Sequence, residues 1–250
     1  IMHIQGGDIS MSLGIFILII ALYAHHKKDV KLTTLSVIGG LCGIVGSLLS
    51  TARGGWVALP VLLVVILYIY RQSLSKRFFL TFFGIIVIAS IGISQMPNNR
   101  IMERIDVAQK DIQLYLDNHD GNTSLGARFE MWKSALEMAK EKPLFGWGIQ
   151  GATEKRKLDT KEKIATGNIG QFTHAHNQYL DDLSKRGIVG LLALLAVLFI
   201  PLRAFMKELK TTNDEIKLIA TLGVAHILSV MIYGLSQGFL VHNSGTIFYF

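Results

Sequence analysis

Six runs of apolar residues divide this chain and constrain its fold more than any other feature. Each is about 15–19 residues long, and at about 1.5 Å per helical residue such a run crosses most or all of a hydrocarbon core of about 30 Å. Half of the residues are apolar and 17% are charged, which is too hydrophobic for an ordinary soluble domain. The pattern predicts an all-α, polytopic transmembrane helical bundle. The runs are Ser10–Ala24, Thr33–Thr51, Trp56–Tyr70, Phe78–Ser94, Gly187–Leu202 and Ile216–Gly234, and a seventh, Thr246–Phe250, reaches the last residue.

The net charge of +7 does not indicate nucleic-acid binding, because the excess of basic residues is confined to short loops. The long polar segment 98–186 holds 14 basic and 13 acidic residues, so it is nearly neutral. Ten Lys and Arg residues lie instead in loops at residues 27–31, 71–77 and 203–217, all on one side of the predicted membrane. By the positive-inside rule that side is cytoplasmic, so the long segment is an exported loop.

The chain is predicted to have three parts. Residues 1–95 carry four transmembrane helices, residues 96–186 form the large exported loop, and residues 187–250 carry two transmembrane helices and the start of a third. The basic residues near the first run follow it rather than precede it, so we do not expect this run to be a signal peptide. We expect a fragment of a longer protein that has further spans before it. The single cysteine, Cys42, lies inside a run, so no disulfide within the chain holds the loop.

The exported loop has readable local structure. Asn98–Asp117 predicts a charged helix, and apolar residues spaced 4, 3, 4 and 3 apart within Leu125–Ala139 predict an amphipathic helix. Thr123 or Ser124 can cap the start of this second helix, and Pro143 ends it. The loop is therefore expected to be largely helical.

The second half of the loop is less regular in sequence. Glu154–Lys163 is so rich in charge that we expect a mobile stretch, and a helix is expected from about Ala175 into the membrane run that begins at Gly187. Asp181-Asp182 resemble a carboxylate pair, but they adjoin Lys185-Arg186 and are interpreted as solvated helix surface.

His176 is the first candidate for chemistry, because it lies at the edge of the polar segment just before a membrane run. Its unperturbed pKa of about 6.5 suits a general base near neutral pH. On a helix it would share a face with Leu180 and Leu183, which continues toward the membrane. The structural alternative is a histidine at a helix start that bonds the backbone of Thr173 or His174.

Arg128 falls in the first turn of the predicted amphipathic helix, on its packed side. A helix N-terminus offers free amide donors and positive partial charge, and an added guanidinium makes a good phosphate or diphosphate site. The alternative is a structural arginine paired with Glu103 or Asp106.

Arg53 follows the second run, in Thr51-Ala52-Arg53-Gly54-Gly55-Trp56. It is the single base in the short turns of the outer side, and the glycines beside it leave backbone room for a lipid head group. The alternative is an interfacial anchor, with Trp56 as a typical membrane-belt residue.

A metal site is not predicted. His174, His176 and His242 share the outer side, but the first two have a spacing that does not place two ligands on one helix face, and no cysteine is available. Signatures of serine, cysteine and carboxylate nucleophiles are absent from the sequence.

Three motifs in order resemble the superfamily of O-antigen ligases and polymerases, which are bacterial envelope glycosyltransferases. His176-Asn177, nine residues and then Gly187-Ile188-Val189-Gly190 match the family's His-Asn and Gly-x-x-Gly motif. Thr123–Trp132 followed by Glu141–Gly148 is similar to the loop signature, and Arg53 matches an arginine that follows a span. The resemblance covers roughly residues 45–195 and is closest to the ligases.

The resemblance implies a bundle like that of the GT-C glycosyltransferases in the bacterial inner membrane, with a periplasmic active site. The donor would be an undecaprenyl-diphosphate-linked glycan and the acceptor a hydroxyl of lipid A–core oligosaccharide, joined with inversion and without metal or cofactor. Arg53 and Arg128 would bind the diphosphate, and His176 would deprotonate the acceptor. Further outer-side candidates are His174, Asn177, Gln237, His242 and Asn243.

Other functions remain open at this point. An O-antigen polymerase and a protein O-oligosaccharyltransferase would use the same donor with a different acceptor. A transporter of the lipid-linked glycan would bind the same lipid without chemistry, and His176 would then be dispensable.

Overall fold

The computed structural model describes residues 3–50, 53–72, 74 and 100–250, and at residues 3, 53, 100, 101 and 104 it describes the backbone alone. Across these ranges the chain forms nine α-helices and two short 3-10 helices, with no strand. The α-helices are α1 His3–His26, α2 Val30–Leu49, α3 Arg53–Tyr70, α4 Arg100–Asn118, α5 Ser124–Glu141, α6 Gly148–Lys161, α7 Gln178–Glu208, α8 Asp214–Ser236 and α9 Asn243–Tyr249.

Four helices in the described ranges are long and apolar enough to cross a membrane: α1, α2, α7 and α8. The shorter apolar helix Gly54–Tyr70 corresponds to the third predicted run. The predicted span Phe78–Ser94 lies outside the described residues. The expectation of an all-α, polytopic helical membrane protein is confirmed.

The core of the bundle forms where α1, α3, α7 and α8 pack together. Met11, Ile15 and Ile19 recur at helical spacing on α1 and are fully buried against Leu62 and other apolar residues of the bundle. Deeper polar contacts also join the helices, since the Tyr233 hydroxyl donates to the Asp8 carbonyl and contacts the Ser12 hydroxyl, both at 2.8 Å. α1 and α8 are therefore fixed side by side.

Basic residues gather at one end of this bundle. Lys27, just after α1, donates to the Asp214 carboxylate at the start of α8 with a distance of 2.8 Å. Lys217 of α8 lies over the Tyr70 ring at the end of α3, 5.3 Å from its centroid. The opposite end holds the starts of α1 and α3 and the end of α8, and it is the end that carries the candidate site.

The helices between α3 and α7 follow the sequence expectations in part. The Thr123 hydroxyl caps α5 by accepting from the Gly126 amide at 3.0 Å, as predicted. The expectation of a mobile stretch at Glu154–Lys163 is corrected, because most of it continues α6. Two of its charged side chains, Arg156 and Asp159, are buried against the rest of the loop and hold the helix in place.

α7 is one element with an interruption. It begins at Gln178, near the candidate site, and its regular geometry is broken at Gly187, where φ is 64° and ψ is −163°. The short segment before Gly187 belongs to the loop region, and the longer apolar segment after it belongs to the bundle. The predicted start at about Ala175 is therefore corrected by three residues, because Asn177 rather than an earlier residue caps the helix.

Candidate active site

His176 lies in the turn that leads into α7 and has a left-handed backbone, with φ at 49°. The Asn177 side chain accepts from the amides of Tyr179 and Leu180 at 3.0 and 3.1 Å, so it caps α7. Its own amide donates to the Leu235 carbonyl at 3.2 Å, which ties the turn to the end of α8. His176 thus precedes the helix rather than sharing the helical face expected from the sequence.

The imidazole of His176 is held by the residue that follows α8. Its Nδ1 lies 2.9 Å from the Gln237 side-chain oxygen, rather than bonding the backbone of Thr173 or His174. Because an amide oxygen only accepts, Nδ1 carries the proton and donates it. The Gln237 amide nitrogen in turn lies 3.3 Å from Nε2 of His242. This arrangement leaves Nε2 of His176 without a proton, which is the tautomer that a general base requires.

His174 completes a cluster of three histidines. Its ring centroid lies 4.3 Å from that of His176 and 5.2 Å from that of His242. Its side chain is buried, and burial is the largest cause that lowers its pKa, with the neighbouring histidines and the cations Lys185 and Arg156 lowering it further, to about 3. His174 is therefore neutral at neutral pH and adds no charge to the cluster.

The surroundings of His176 also favour its neutral form. Burial is the largest cause, and it lowers the pKa below the ordinary 6.5, whereas the hydrogen bond to Gln237 raises it. The positive charge of Arg128 lowers the pKa further, which places this arginine within electrostatic range of the imidazole. A histidine that is neutral at pH 7 and keeps an unprotonated Nε2 can accept a proton from a substrate hydroxyl.

Arg128 is half-buried on α5, but the start of that helix does not offer the free amides expected from the sequence. The Asp111 carboxylate accepts from the Leu125 amide at 3.2 Å, and the Thr123 hydroxyl takes the Gly126 amide. The expectation of free N-terminal donors is therefore wrong for these two amides, because the Asp111 carboxylate of α4 and the Thr123 cap already accept from them. Any anion near Arg128 would be bound by its guanidinium.

The backbone of Arg53 lies at the same end of the bundle as the histidines. The next residue, Gly54, packs against the buried carboxylate of Asp8 on α1, so closely that a methyl group there would lie 2.8 Å from an Asp8 oxygen. One turn earlier on α1, the Gln5 amide donates to the Phe239 carbonyl at 3.3 Å. Phe239 is two residues after Gln237, so α1 links the start of α3 to the histidine cluster.

Two of the sequence motifs meet in space at Gly187. The Trp147 amide donates to the Ser184 carbonyl at 3.0 Å, and the Ile188 amide donates to the Pro143 carbonyl at 2.8 Å. A side chain on Gly187 would lie 2.3 Å from the Leu144 carbonyl, so only glycine fits this crossing and its positive φ. The turn after α5 is thus clamped onto the break in α7.

Sequence reasoning missed a set of buried charges beside the site. The interpretation of Asp181-Asp182 as solvated surface is wrong, because both side chains are buried, as is Lys185. Asp181 and Lys185 form an ion pair of 2.6 Å, and the buried Arg156 approaches Asp181 to 4.0 Å. The spacing of four residues between Asp181 and Lys185 was the available signal, but nothing in the sequence shows that the pair faces inward.

The described part of the chain holds no group of three or more His, Cys, Asp or Glu side chains arranged to bind a metal ion. The His174 ring packs against the rings of His176 and His242, and Gln237 contacts the latter two through its side chain. The reaction without metal stays a prediction.

The family model described as O-antigen ligase matches residues 38–195. An uncharacterised protein of Haemophilus influenzae is 43% identical over 249 residues, which is all of this chain and 62% of that protein. The O-antigen ligase of Escherichia coli K12 is 27% identical over 60% of this chain and 36% of its own length. The exopolysaccharide production protein ExoQ of Rhizobium meliloti is 27% identical over 48% of this chain and 28% of its own length.

The chain spans less than two thirds of the length of each of these relatives. The family match nevertheless covers more than half of the chain. It includes both stretches that cross at Gly187 and the turn that carries His176. This multi-pass membrane protein therefore belongs to the O-antigen ligase family, whose members act in polysaccharide synthesis.

Proposed function

We propose that the protein is an O-antigen ligase, which transfers glycan from an undecaprenyl-diphosphate donor to a hydroxyl of lipid A–core oligosaccharide in lipopolysaccharide biosynthesis. The site would face the periplasm from the bacterial inner membrane. The basic loops at the opposite end of the bundle support this orientation. Family membership supports a glycosyltransferase, and the single observation that carries the proposed chemistry is the hydrogen bond from His176 to Gln237.

In this mechanism Nε2 of His176 takes the proton of the acceptor hydroxyl. The hydroxyl oxygen attacks the anomeric carbon of the donor sugar from the face opposite the diphosphate. The new carbon–oxygen bond forms while the bond from the anomeric carbon to the diphosphate oxygen breaks, and the diphosphate leaves with the electron pair. The configuration at the anomeric carbon inverts, and the products are the glycosylated acceptor and undecaprenyl diphosphate.

Two arginines would bind the departing diphosphate, Arg128 and Arg53. The electrostatic effect of Arg128 on His176 supports a place for the anion close to the base. Positive charge that meets the developing negative charge of a leaving group lowers the barrier, the role that a metal ion fills in other transferases. The two arginines make a scheme without metal or cofactor chemically sufficient.

The remaining outer-side residues would support the base rather than react. Gln237 selects the tautomer of His176, His242 anchors Gln237 from the other side, and Asn177 fixes the turn. His174 packs against the imidazole without competing for a proton, since burial lowers its pKa to about 3 and makes it a much weaker base. The membrane lipid around α1, α7 and α8 would hold the polyprenyl tail of the donor.

The test is transfer of glycan from purified polyprenyl-diphosphate donor by the full-length protein in proteoliposomes, with three acceptors offered separately. These are lipid A–core, a second donor molecule and a hydroxyl-bearing protein acceptor. The ligase proposal expects product with lipid A–core alone. Product with the protein acceptor alone would indicate a protein O-oligosaccharyltransferase, and donor binding without product on any acceptor would indicate a transporter.

A second candidate is a polymerase that lengthens the glycan on its lipid carrier. The observation that favours it is the likeness to a protein named for exopolysaccharide production, which aligns with 48% of this chain. A polymerase would use the same base and the same arginines and differ in the acceptor. Chain elongation with the second donor molecule, and none with lipid A–core, would establish it.

A further inference from the structure

Three charged side chains lie beneath the turn that carries His176, and they are named here the ion cluster: Arg156, Asp181 and Lys185. The solvent-exposed fraction is 0% for Arg156 and Asp181 and 4% for Lys185. Burying charges is costly unless they are paired, and here one anion serves two cations. Lys185 contacts the Asp181 carboxylate at 2.6 Å, and Arg156 lies 4.0 Å from it. Apolar side chains could fill the same space at a lower cost, so these buried charges at the turn are expected to have a function.

The ion cluster holds the backbone of the turn from both sides of His174. Arg156 and Lys185 both donate to the Thr173 carbonyl, at 3.0 and 2.9 Å, which uses both of its lone pairs. The Asp181 carboxylate accepts from the Ala175 amide at 2.9 Å. Two consecutive peptide units before His176 are thereby fixed by charged groups.

A fourth hydrogen bond completes the arrangement. The indole nitrogen of Trp132 on α5 donates to the Ala175 carbonyl at 3.0 Å. Ala175 thus has both of its backbone groups occupied, and the residue after it, His176, lies in the left-handed region. Positive φ is uncommon for a non-glycine residue, although histidine adopts it more often than most. The ion cluster and Trp132 hold the backbone that leads into His176, whose ring contacts Gln237.

We propose that the ion cluster positions His176 for proton transfer, so that Arg156, Asp181 and Lys185 act on the reaction through the histidine and touch no substrate. This inference rests on the proposed role of His176 as the base. Two of the three members come from α7 and one from α6, so the packing of these helices would set the alignment of the base.

The test compares the effects of replacing two lysines, each of which forms an ion pair with an aspartate on its own helix. Lys185 and Lys155 each pair with a buried aspartate four residues away on the same helix, Asp181 and Asp159. Of the two, Lys185 alone bonds the histidine turn. Lys185→Met and Lys155→Met in the full-length protein would be compared for kcat, KM for the donor, and thermal unfolding in detergent. Reaction of His176 with diethyl pyrocarbonate, read by tandem mass spectrometry, adds a measure that needs no substrate.

We expect Lys185→Met to lower kcat by about ten-fold or more with KM for the donor within about two-fold, because a small misplacement of a base costs turnover more than binding. His176 should also react faster with diethyl pyrocarbonate once its turn loosens. Lys155→Met should match the wild type in both respects. A kcat for Lys185→Met equal to that of Lys155→Met, with equal modification rates, would overturn the proposal.

A second variant, Lys185→Gln, separates misplacement of His176 from general unfolding of Lys185→Met. Lys185→Gln removes the charge but keeps an N–H donor on a shorter side chain, so the same changes are expected with smaller factors. Activity that falls only in proportion to the folded fraction would mean a structural role and would also overturn the proposal. If the wild type transfers to no acceptor, the proposed function fails, while the modification rates of His176 still decide whether the ion cluster positions it.

Discussion

His176 and Gln237 lie 61 residues apart in the chain and are joined by a contact of 2.9 Å between Nδ1 and the amide oxygen. This contact connects the turn before α7 to the end of α8, so the orientation of the imidazole depends on two separate helices. It also selects the tautomer, since the nitrogen that faces Gln237 must donate. The unprotonated Nε2 is the atom on which the proposed reaction depends.

Replacing Gln237 should change both the rate and the pH dependence of transfer. Gln237→Leu removes the acceptor for Nδ1, and we expect kcat to fall by about ten-fold or more, a part of the 10²–10⁴ that a positioned general base contributes. Gln237→Glu places a negative charge beside the ring, which raises the pKa of His176 and moves the acid limb of activity to higher pH. Steady-state kinetics over a pH series measures both effects.

The matched control for Gln237 is Ser236→Ala, one residue earlier, whose hydroxyl contacts the Tyr233 carbonyl rather than the histidines. It should leave the rate and the pH profile unchanged. Wild-type kinetics in Gln237→Leu would show that the tautomer is not set by this contact.

The acid limb of kcat/KM should lie below pH 6.5 in the wild type. Activity rises with pH as His176 loses its proton, and burial together with the charge of Arg128 lowers the pKa of that histidine. Removing the positive charge in Arg128→Gln should therefore move the limb upward while donor binding weakens. Lys133→Gln, an exposed lysine on the same helix, is the control. An unmoved or downward-shifted limb in Arg128→Gln would contradict the electrostatic coupling.

The stability of the protein should fall in mild acid because of His174. Its pKa is about 3 in the folded protein and about 6.5 when unfolded, so below pH 6.5 the unfolded chain takes up a proton that the folded protein does not. Above pH 6.5 this difference in proton uptake has no effect on the free energy of unfolding. Between pH 6.5 and pH 3 it lowers the free energy of unfolding by about 1.4 kcal/mol per pH unit. Thermal unfolding in detergent at pH 7 and pH 5 should show a smaller loss for His174→Gln than for the wild type. The control is His25→Gln, an exposed histidine at the end of α1 that lies far from the histidine cluster. Between pH 7 and pH 5 this variant should lose as much stability as the wild type does.

The contact between the turn after α5 and the break in α7 can be tested with two glycines that have nearly the same positive φ. Gly146 and Gly148 have φ of 69° and 71°, but a side chain at Gly146 would lie 2.5 Å from the Lys185 backbone, whereas one at Gly148 meets nothing within 4 Å. Gly148→Ala should cost about 1–2 kcal/mol for the left-handed conformation alone. Gly146→Ala should cost about 1–3 kcal/mol more for the overlap. Equal unfolding temperatures for the two variants would mean that the crossing is looser than the structure has it.

The membrane helices could be predicted from the sequence because their signal is local. Apolar runs long enough to span a bilayer need no knowledge of their partners, and a cap at Thr123 or Ser124 follows from residue type and position alone. His176 was identified from its motif, although its place before the helix, with a positive φ, was not. The backbone that leads into it is held by contacts from α5, α6 and α7, which no local pattern reports.

The charges of the loop were the part that sequence reasoning misjudged. Glu154–Lys163 and Asp181-Asp182 look solvated because their neighbours are charged, yet Arg156, Asp159 and both aspartates are buried. Charged residues are buried only when partners from distant segments meet them, and the pairing of α6 with α7 is a tertiary fact. The same reason explains why the Leu125 amide at the start of α5 donates to Asp111 rather than being free.

The most direct test of the central claim is a single-turnover transfer from prebound donor, wild type against His176→Asn. Asparagine tolerates the left-handed backbone of this position but cannot act as a base, so the fold and donor binding should persist. The account predicts unchanged donor affinity with transfer slowed by about 10²–10⁴. Transfer at the wild-type rate by folded, donor-bound His176→Asn would show that His176 is not the base.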